Sequence, residues 1–115
     1  MAVLLTVNTP PYGSEGPYNA LRLAEALLLR GEHVEVFLMG DGVHAARADQ
    51  EPREAHASLE QTLVGLLERG MDVTCCGTRC RSRGVREGDL IAGVTLATIH
   101  DLAEAVARCN RTLSF

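Results

Sequence analysis

Apolar and polar positions along the chain alternate between two periods. Val3 to Val7 is a short apolar run that stops at Asn8, Thr9, Pro10 and Pro11, so it reads as a strand opening into a turn-rich loop through Gly13 and Gly16. Pro17 suits a first helical position, and Ala20, Leu23, Ala24, Leu27 and Leu28 then recur at helical spacing until Gly31 supplies a stop. From His33 to Leu38 the pattern alternates before turning apolar, which predicts a second strand closed by Gly40 and Gly42. The stretch from His44 to Arg53 is the most polar of the chain and predicts an exposed loop with room for one helical turn. From Ala55 onward, Leu59, Leu63, Leu66 and Leu67 mark a second helix ending at Gly70, followed by a strand from Met71 to Cys75. Val94 to Leu96 is a brief strand signal. Thr98 with Asp101 three residues later has the form of a capping box ahead of Leu102, Val106 and Cys109, and Thr112 to Phe115 reads as a last short strand.

Strands alternating with helices in this way predict an α/β fold: a three-layer α/β/α sandwich with a mainly parallel sheet of about five strands and right-handed crossovers, in one domain over residues 1–115. Leu21, Leu23, Leu27, Leu28 and Leu29 occupy most of the first helix's circumference rather than one stripe, which predicts that part of it meets another subunit in a homo-oligomer. Hydrophobic residues make up 46% of the chain and aromatics only 3%, so the core must be aliphatic. The formal net charge of -4, with no arginine cluster standing clear of the acidic residues, gives no support for a phosphate-backbone footprint, so no direct nucleic-acid partner is expected. All eleven basic residues are Arg, which excludes a lysine Schiff base. The opening Met1 to Asn8 lacks a basic leader region, and no apolar run approaches the roughly 20 residues of a membrane span, so a cytoplasmic protein without membrane contact is expected. Four cysteines in that compartment are expected to be thiols rather than a disulfide framework.

Those thiols are the main candidate chemistry. Cys76 falls one residue beyond the predicted third strand, on the carboxyl edge where sites form in open parallel sheets. Backbone amides of a following helix, together with Arg79, Arg81 and Arg83, would stabilise a thiolate there. Cys75, inside the strand, reads as a small buried hydrophobe, and Cys109, on a helical face with Leu102 and Val106, as a buried bystander. A structural zinc site is disfavoured because adjacent Cys75 and Cys76 point to opposite sides of a strand and no second ligand pair completes a tetrahedron. His44 follows the second strand and shares the carboxyl edge with Cys76, as does the Tyr12 to Gly16 loop, which lacks the glycine spacing and lysine of a phosphate loop. His33, His56 and His100 sit where exposed histidines are ordinary.

The run Cys76-Gly77-Thr78-Arg79-Cys80-Arg81-Ser82-Arg83-Gly84-Val85, the later Asp89 to Val94 and Thr98 to Leu102 segments, and the Asn19 to Ala24 and Val34 to Gly42 segments together resemble the DsrE/DsrF-like family of small sulfur-handling proteins. The resemblance covers nearly the whole chain. It implies a three-layer fold assembled as a trimer or hexamer, in which a loop cysteine accepts sulfane sulfur as a persulfide. The acceptor hands it on, so sulfur donor and acceptor proteins are the implied partners, with no metal or organic cofactor. By register with Arg83-Gly84, Cys76 matches the sulfur-carrying cysteine, with Gly77, Thr78, Arg79, Arg83, His44 and Tyr12 as its expected surroundings and Cys80 as a second thiol. Family members often separate two cysteines by two residues; here three intervene. Positions i and i+4 on a helix hold Cβ atoms about 5 to 6 Å apart, wider than the roughly 3.5 to 4.5 Å of a relaxed disulfide, so sulfur relay ranks above dithiol exchange for Cys76 and Cys80. The alternative reading is a non-catalytic oligomeric module that binds a small ligand or a protein.

Overall fold

The computed structural model describes residues 1–52 and 58–115. The expectations for Arg53, Ala55 and His56 lie outside the described residues. Five parallel strands form one sheet in the order β4-β3-β2-β1-β5: β1 Ala2–Val7, β2 His33–Leu38, β3 Asp72–Cys76, β4 Thr95–Ala97 and β5 Arg111–Ser114. The helices are α1 Gly16–Leu29, α2 Leu59–Glu68, α3 Gly77–Ser82 and α4 Ile99–Arg108. The predicted three-layer α/β/α architecture is therefore the observed one.

Local chemistry sets the element ends. Pro17 stands in the first turn of α1, whose C-terminus closes through Gly31 at φ 83, with Gly31 N donating to the Leu28 carbonyl and Glu32 N to that of Leu27. In α2 the Ser58 hydroxyl accepts from Gln61 N, and Leu59, Leu63 and Leu66 share the buried face. The Thr98 and Asp101 capping box opens α4 as predicted.

Strand order and chain order together decide which face each helix covers. From β1 to β4 successive strands step one way across the sheet, so right-handed connections place their helices on one face; the step from β4 back past β1 to β5 runs the other way and sends α4 to the opposite face. Val3, Leu5 and Val7 of β1, Val34, Val36 and Leu38 of β2, and Val73 and Cys75 of β3 join Ala20, Leu21, Leu63 and Leu66 in one large core. Leu4, Phe37, Cys76 and Ala97 face the other way and join Ala105 of α4 in a much smaller one. Central strands buried on both faces explain why β1 and β2 read as nearly continuous apolar runs.

Two expectations are corrected. The segment after β2 is not an exposed loop at its start: Gly40–Ala46 forms a tight helical segment with Val43, Ala45 and Ala46 buried. It lies so close to β1 that a Cβ on Gly42 would stand 2.2 Å from the Val7 carbonyl oxygen, so only glycine fits there. The α1 leucines are mostly half-buried against the large core, with Leu29 the outward-facing one. Further exposed apolar side chains stand on the α4 side, at Ile99 and Val106, and at the two sheet edges, at Leu96 of β4 and Leu113 of β5. Val106 thus points away from the core that its helical spacing predicted.

Candidate functional site

The end of β3 carries three thiols in two directions. Cys76 is the last residue of the strand and the N-cap of α3, one position earlier in structural terms than the sequence pattern suggested. Because side chains alternate along a strand, Cys75 enters the large core and Cys76 the small one, among Leu4, Phe37 and Ala97. Cys76 retains 9% of its exposure, against 0% for Cys75 and 1% for Cys80, which makes it the most reachable of the three. The N–H groups of Gly77, Thr78 and Arg79 begin α3 and have no partner within that helix.

Cys80 does not share a cluster with Cys76. Its Sγ lies 3.7 Å from the Cys75 Sγ, and Cys75 in turn points its thiol at the Val43 carbonyl, 3.9 Å away. Burial, foremost, pushes the Cys75 thiol well up, and the neighbouring Cys80 adds to the effect. Burial also raises the Cys80 thiol, opposed by its hydrogen bond with Cys75 and by the charges of Arg81 and Arg83. Among the described residues, no three cysteine sulfurs lie within metal-sharing distance of one another.

The arginines expected to surround the thiol divide into clamps and free charges. Arg83 Nε donates to Asp41 at 2.8 Å, and Arg83 Nη1 reaches the Arg79 carbonyl and the Ser82 hydroxyl, so this residue ties α3 to the Gly40–Ala46 segment. Arg81 donates to the Thr78 hydroxyl at 3.4 Å, and Arg79 is exposed. Gly77 is buried, and a Cβ there would stand 3.2 Å from the Arg81 guanidinium. His44 is half-buried in the Gly40–Ala46 segment. Tyr12, at φ 63, donates to Gln50 Oε1 and accepts from Leu59 N, which anchors the first loop to the start of α2. These polar contacts hold Tyr12 in a scaffold role rather than at the thiols.

The carboxyl edge is also not equally open along its length. Strand order reverses between β1 and β5, and there the backbone of Phe115 closes the gap by hydrogen bonds with Asn8 N and the Thr6 carbonyl. The end of β3, two strands away, is the part of that edge where the thiols stand.

Sequence reasoning missed a second polar cluster at the opposite end of the strands. Glu35 of β2 is 9% exposed and takes a bidentate ion pair from Arg108 of α4, with Cys109 Sγ 3.4 Å from Glu35 Oε2. Burial works to raise the Glu35 carboxyl but is outweighed by the hydrogen bonds from Arg108 and Cys109 and by the charges of Arg108 and His33, so it lies below its ordinary value. His33, Glu35 and Asp72 bring donor atoms within 4.8 Å of one another, but the Arg108 guanidinium already occupies both Glu35 oxygens. The available signal was Glu35 itself, a charge in a strand that is otherwise buried. Beside this cluster a groove of about 340 Å³ runs under α4, past Phe37, Thr74, Leu96 and Asp101.

A small parallel α/β/α domain with a cysteine at a strand-to-helix junction is the class that fold and site define. The DsrE/DsrF-like family matches residues 1–115, and the chain belongs to that family. It is 40% identical over 115 residues, all of both chains, to an uncharacterized protein of Methanocaldococcus jannaschii, and 34% identical to the protein YchN of Escherichia coli, covering 98% of this chain and 97% of that one. The sulfurtransferase TusD of Cronobacter sakazakii is 30% identical over the full length of both chains. Among solved structures, that of YchN from Escherichia coli superposes with a TM-score of 0.93 at 33% identity, covering 100% of this chain and 99% of that one. A Methanobacterium thermoautotrophicum protein of unknown function shares the fold at a TM-score of 0.73, 17% identity and 99% and 98% coverage. Among the described residues, no helix is long and apolar enough to cross a membrane.

Proposed function

We propose that this protein is a cytoplasmic sulfur carrier that holds sulfane sulfur as a persulfide on Cys76 and passes it to a partner protein. The observation that carries this reading is the position of Cys76: the last residue of β3, the N-cap of α3, and more exposed than either Cys75 or Cys80. Similarity over the full chain to a protein named as a sulfurtransferase supports the chemical class. In the forward step the Cys76 thiolate attacks the sulfane sulfur of a donor persulfide, forming Cys76–S–SH and releasing the donor thiol. An acceptor thiolate then takes the outer sulfur and regenerates Cys76, with no metal or organic cofactor needed. The first-turn amides of Gly77, Thr78 and Arg79, unpaired within α3, and the exposed Arg79 would offer positive potential to an anionic sulfur formed on Cys76, while Arg83 and Asp41 hold α3 in place.

Self-association is part of the same reading, supported by the exposed apolar side chains on the α4 face; sedimentation should give a trimer or hexamer, and a monomer at high concentration would overturn it. The carrier step is tested by intact-mass spectrometry after exposure to inorganic polysulfide under non-reducing conditions. Cys80→Ser, which leaves Cys76 in place, should gain about 32 Da and transfer that sulfur to an acceptor thiol, and Cys76→Ser should lose the transfer. Transfer undiminished in Cys76→Ser, or no adduct on Cys80→Ser, moves the assignment to a ligand-binding module.

A further inference from the structure

The large core holds a thiol pair that the carrier step does not use. Cys75 and Cys80 stand with their sulfurs 3.7 Å apart on the sheet face opposite Cys76, and each is nearly fully buried. One of the two has a route to solvent. Cys80 lines a cavity of about 410 Å³ together with Gly77, Gly84, Leu96, Arg81, Arg86 and Glu87. Two arginines against one acidic residue in the lining, around a space of that size, suit a small anionic ligand. We propose that Cys75 and Cys80 form a second sulfur site, which takes sulfane sulfur from a small anionic persulfide or polysulfide and discharges it as sulfide by closing to a disulfide.

The order of events follows from the surroundings. Cys80 faces the cavity and has Arg81 and Arg83 beside it, whereas Cys75 is enclosed between the sheet and the Val43 carbonyl, so Cys80 is the first nucleophile. Its thiolate attacks the sulfane sulfur of a donor R–S–SH, giving Cys80–S–SH and R–SH. Cys75 then attacks the inner sulfur of that persulfide; the Cys75–Cys80 bond forms, hydrosulfide leaves, and the Cys75 proton departs with it as hydrogen sulfide. Two thiols are oxidised to a disulfide and one sulfane sulfur is reduced to sulfide, with the donor as the oxidant. The two sulfurs already stand in contact, and a bond of about 2.05 Å asks only a local shift of the six-residue α3. Neither step involves Cys76, so this site stands or falls separately from the carrier reading.

The decisive protein is the Cys76→Ser, Cys109→Ser double variant, in which Cys75 and Cys80 are the remaining thiols. After inorganic polysulfide and removal of excess reagent, it should lose about 2 Da in intact mass, fail to take an alkylating reagent on unfolding, and release one sulfide per chain. Adding Cys75→Ala should trap Cys80 as a persulfide, about 32 Da heavier, with sulfide release abolished. A double variant that stays fully reduced, or that keeps the added sulfur without closing a disulfide, overturns the proposal even if the Cys75→Ala protein does not fold.

Discussion

The two faces of the sheet are built from the same strands and have opposite characters. Among the described residues, one is sealed by α1, α2, α3 and the Gly40–Ala46 segment over a continuous aliphatic core, and the other carries α4 alone over five buried residues, an ion pair and an open groove. Adjacent Cys75 and Cys76 sample both, because a strand turns successive side chains to opposite faces. The lesson is that chemistry here depends on the parity of a position in β3. A thiol on the sealed face becomes one half of a buried pair, and the next residue faces the thinly covered side.

The comparison breaks most visibly on the sealed face. Leu63→Ala empties a fully buried site in the large core and should cost roughly 2–5 kcal/mol, read as a lower urea midpoint at unchanged slope. On the open face the strongest effect should come from Arg108→Ala, which strands the Glu35 carboxylate. Because the folded Glu35 is held below its ordinary value, its stabilisation is present above the unfolded value of about 4.3 and is lost as pH falls through the folded one. The variant should therefore be less stable than the wild type at pH 7, with the gap closing on acidification. A gap that stays constant with pH would show that the ion pair is not its source.

Smaller effects sharpen the contrast. Thr98→Ala removes the N-terminal cap of α4 and should cost about 1 kcal/mol, with the loss of helical signal concentrated in the protection of α4 amides from hydrogen exchange. Ile99→Ala, at a side chain 59% exposed, should change the unfolding free energy of the isolated chain by less than about 0.5 kcal/mol while weakening self-association measured by sedimentation. An equal loss from Leu63→Ala and Ile99→Ala in dilute solution would erase the distinction between the faces.

Much of the fold was legible because its signals are local. The β2 boundaries, the Gly31 and Gly70 helix stops and the Thr98 and Asp101 box each depend on residues within a turn of one another. The buried Gly40–Ala46 segment was not, since it is too short to show a period, runs into the polar stretch that follows, and packs through the close approach of Gly42 to Val7. At the thiols, spacing drew attention to Cys76 and Cys80 as a pair, whereas the strand-to-helix turn carries Cys80 back over Cys75.

By itself the sequence determined the order of the five strands and of helices α1, α2 and α4, the aliphatic core and the concentration of thiols around the end of the third strand, because hydrophobic period, caps and turn residues act over a few positions. Only the tertiary structure decided what those thiols meet. The Arg83–Asp41 and Arg108–Glu35 pairs span 42 and 73 residues, and the α4 face exists only once β5 has crossed to the far side of β1. Such contacts follow from strand order and crossover direction, which are properties of the assembled sheet and not of any segment within it.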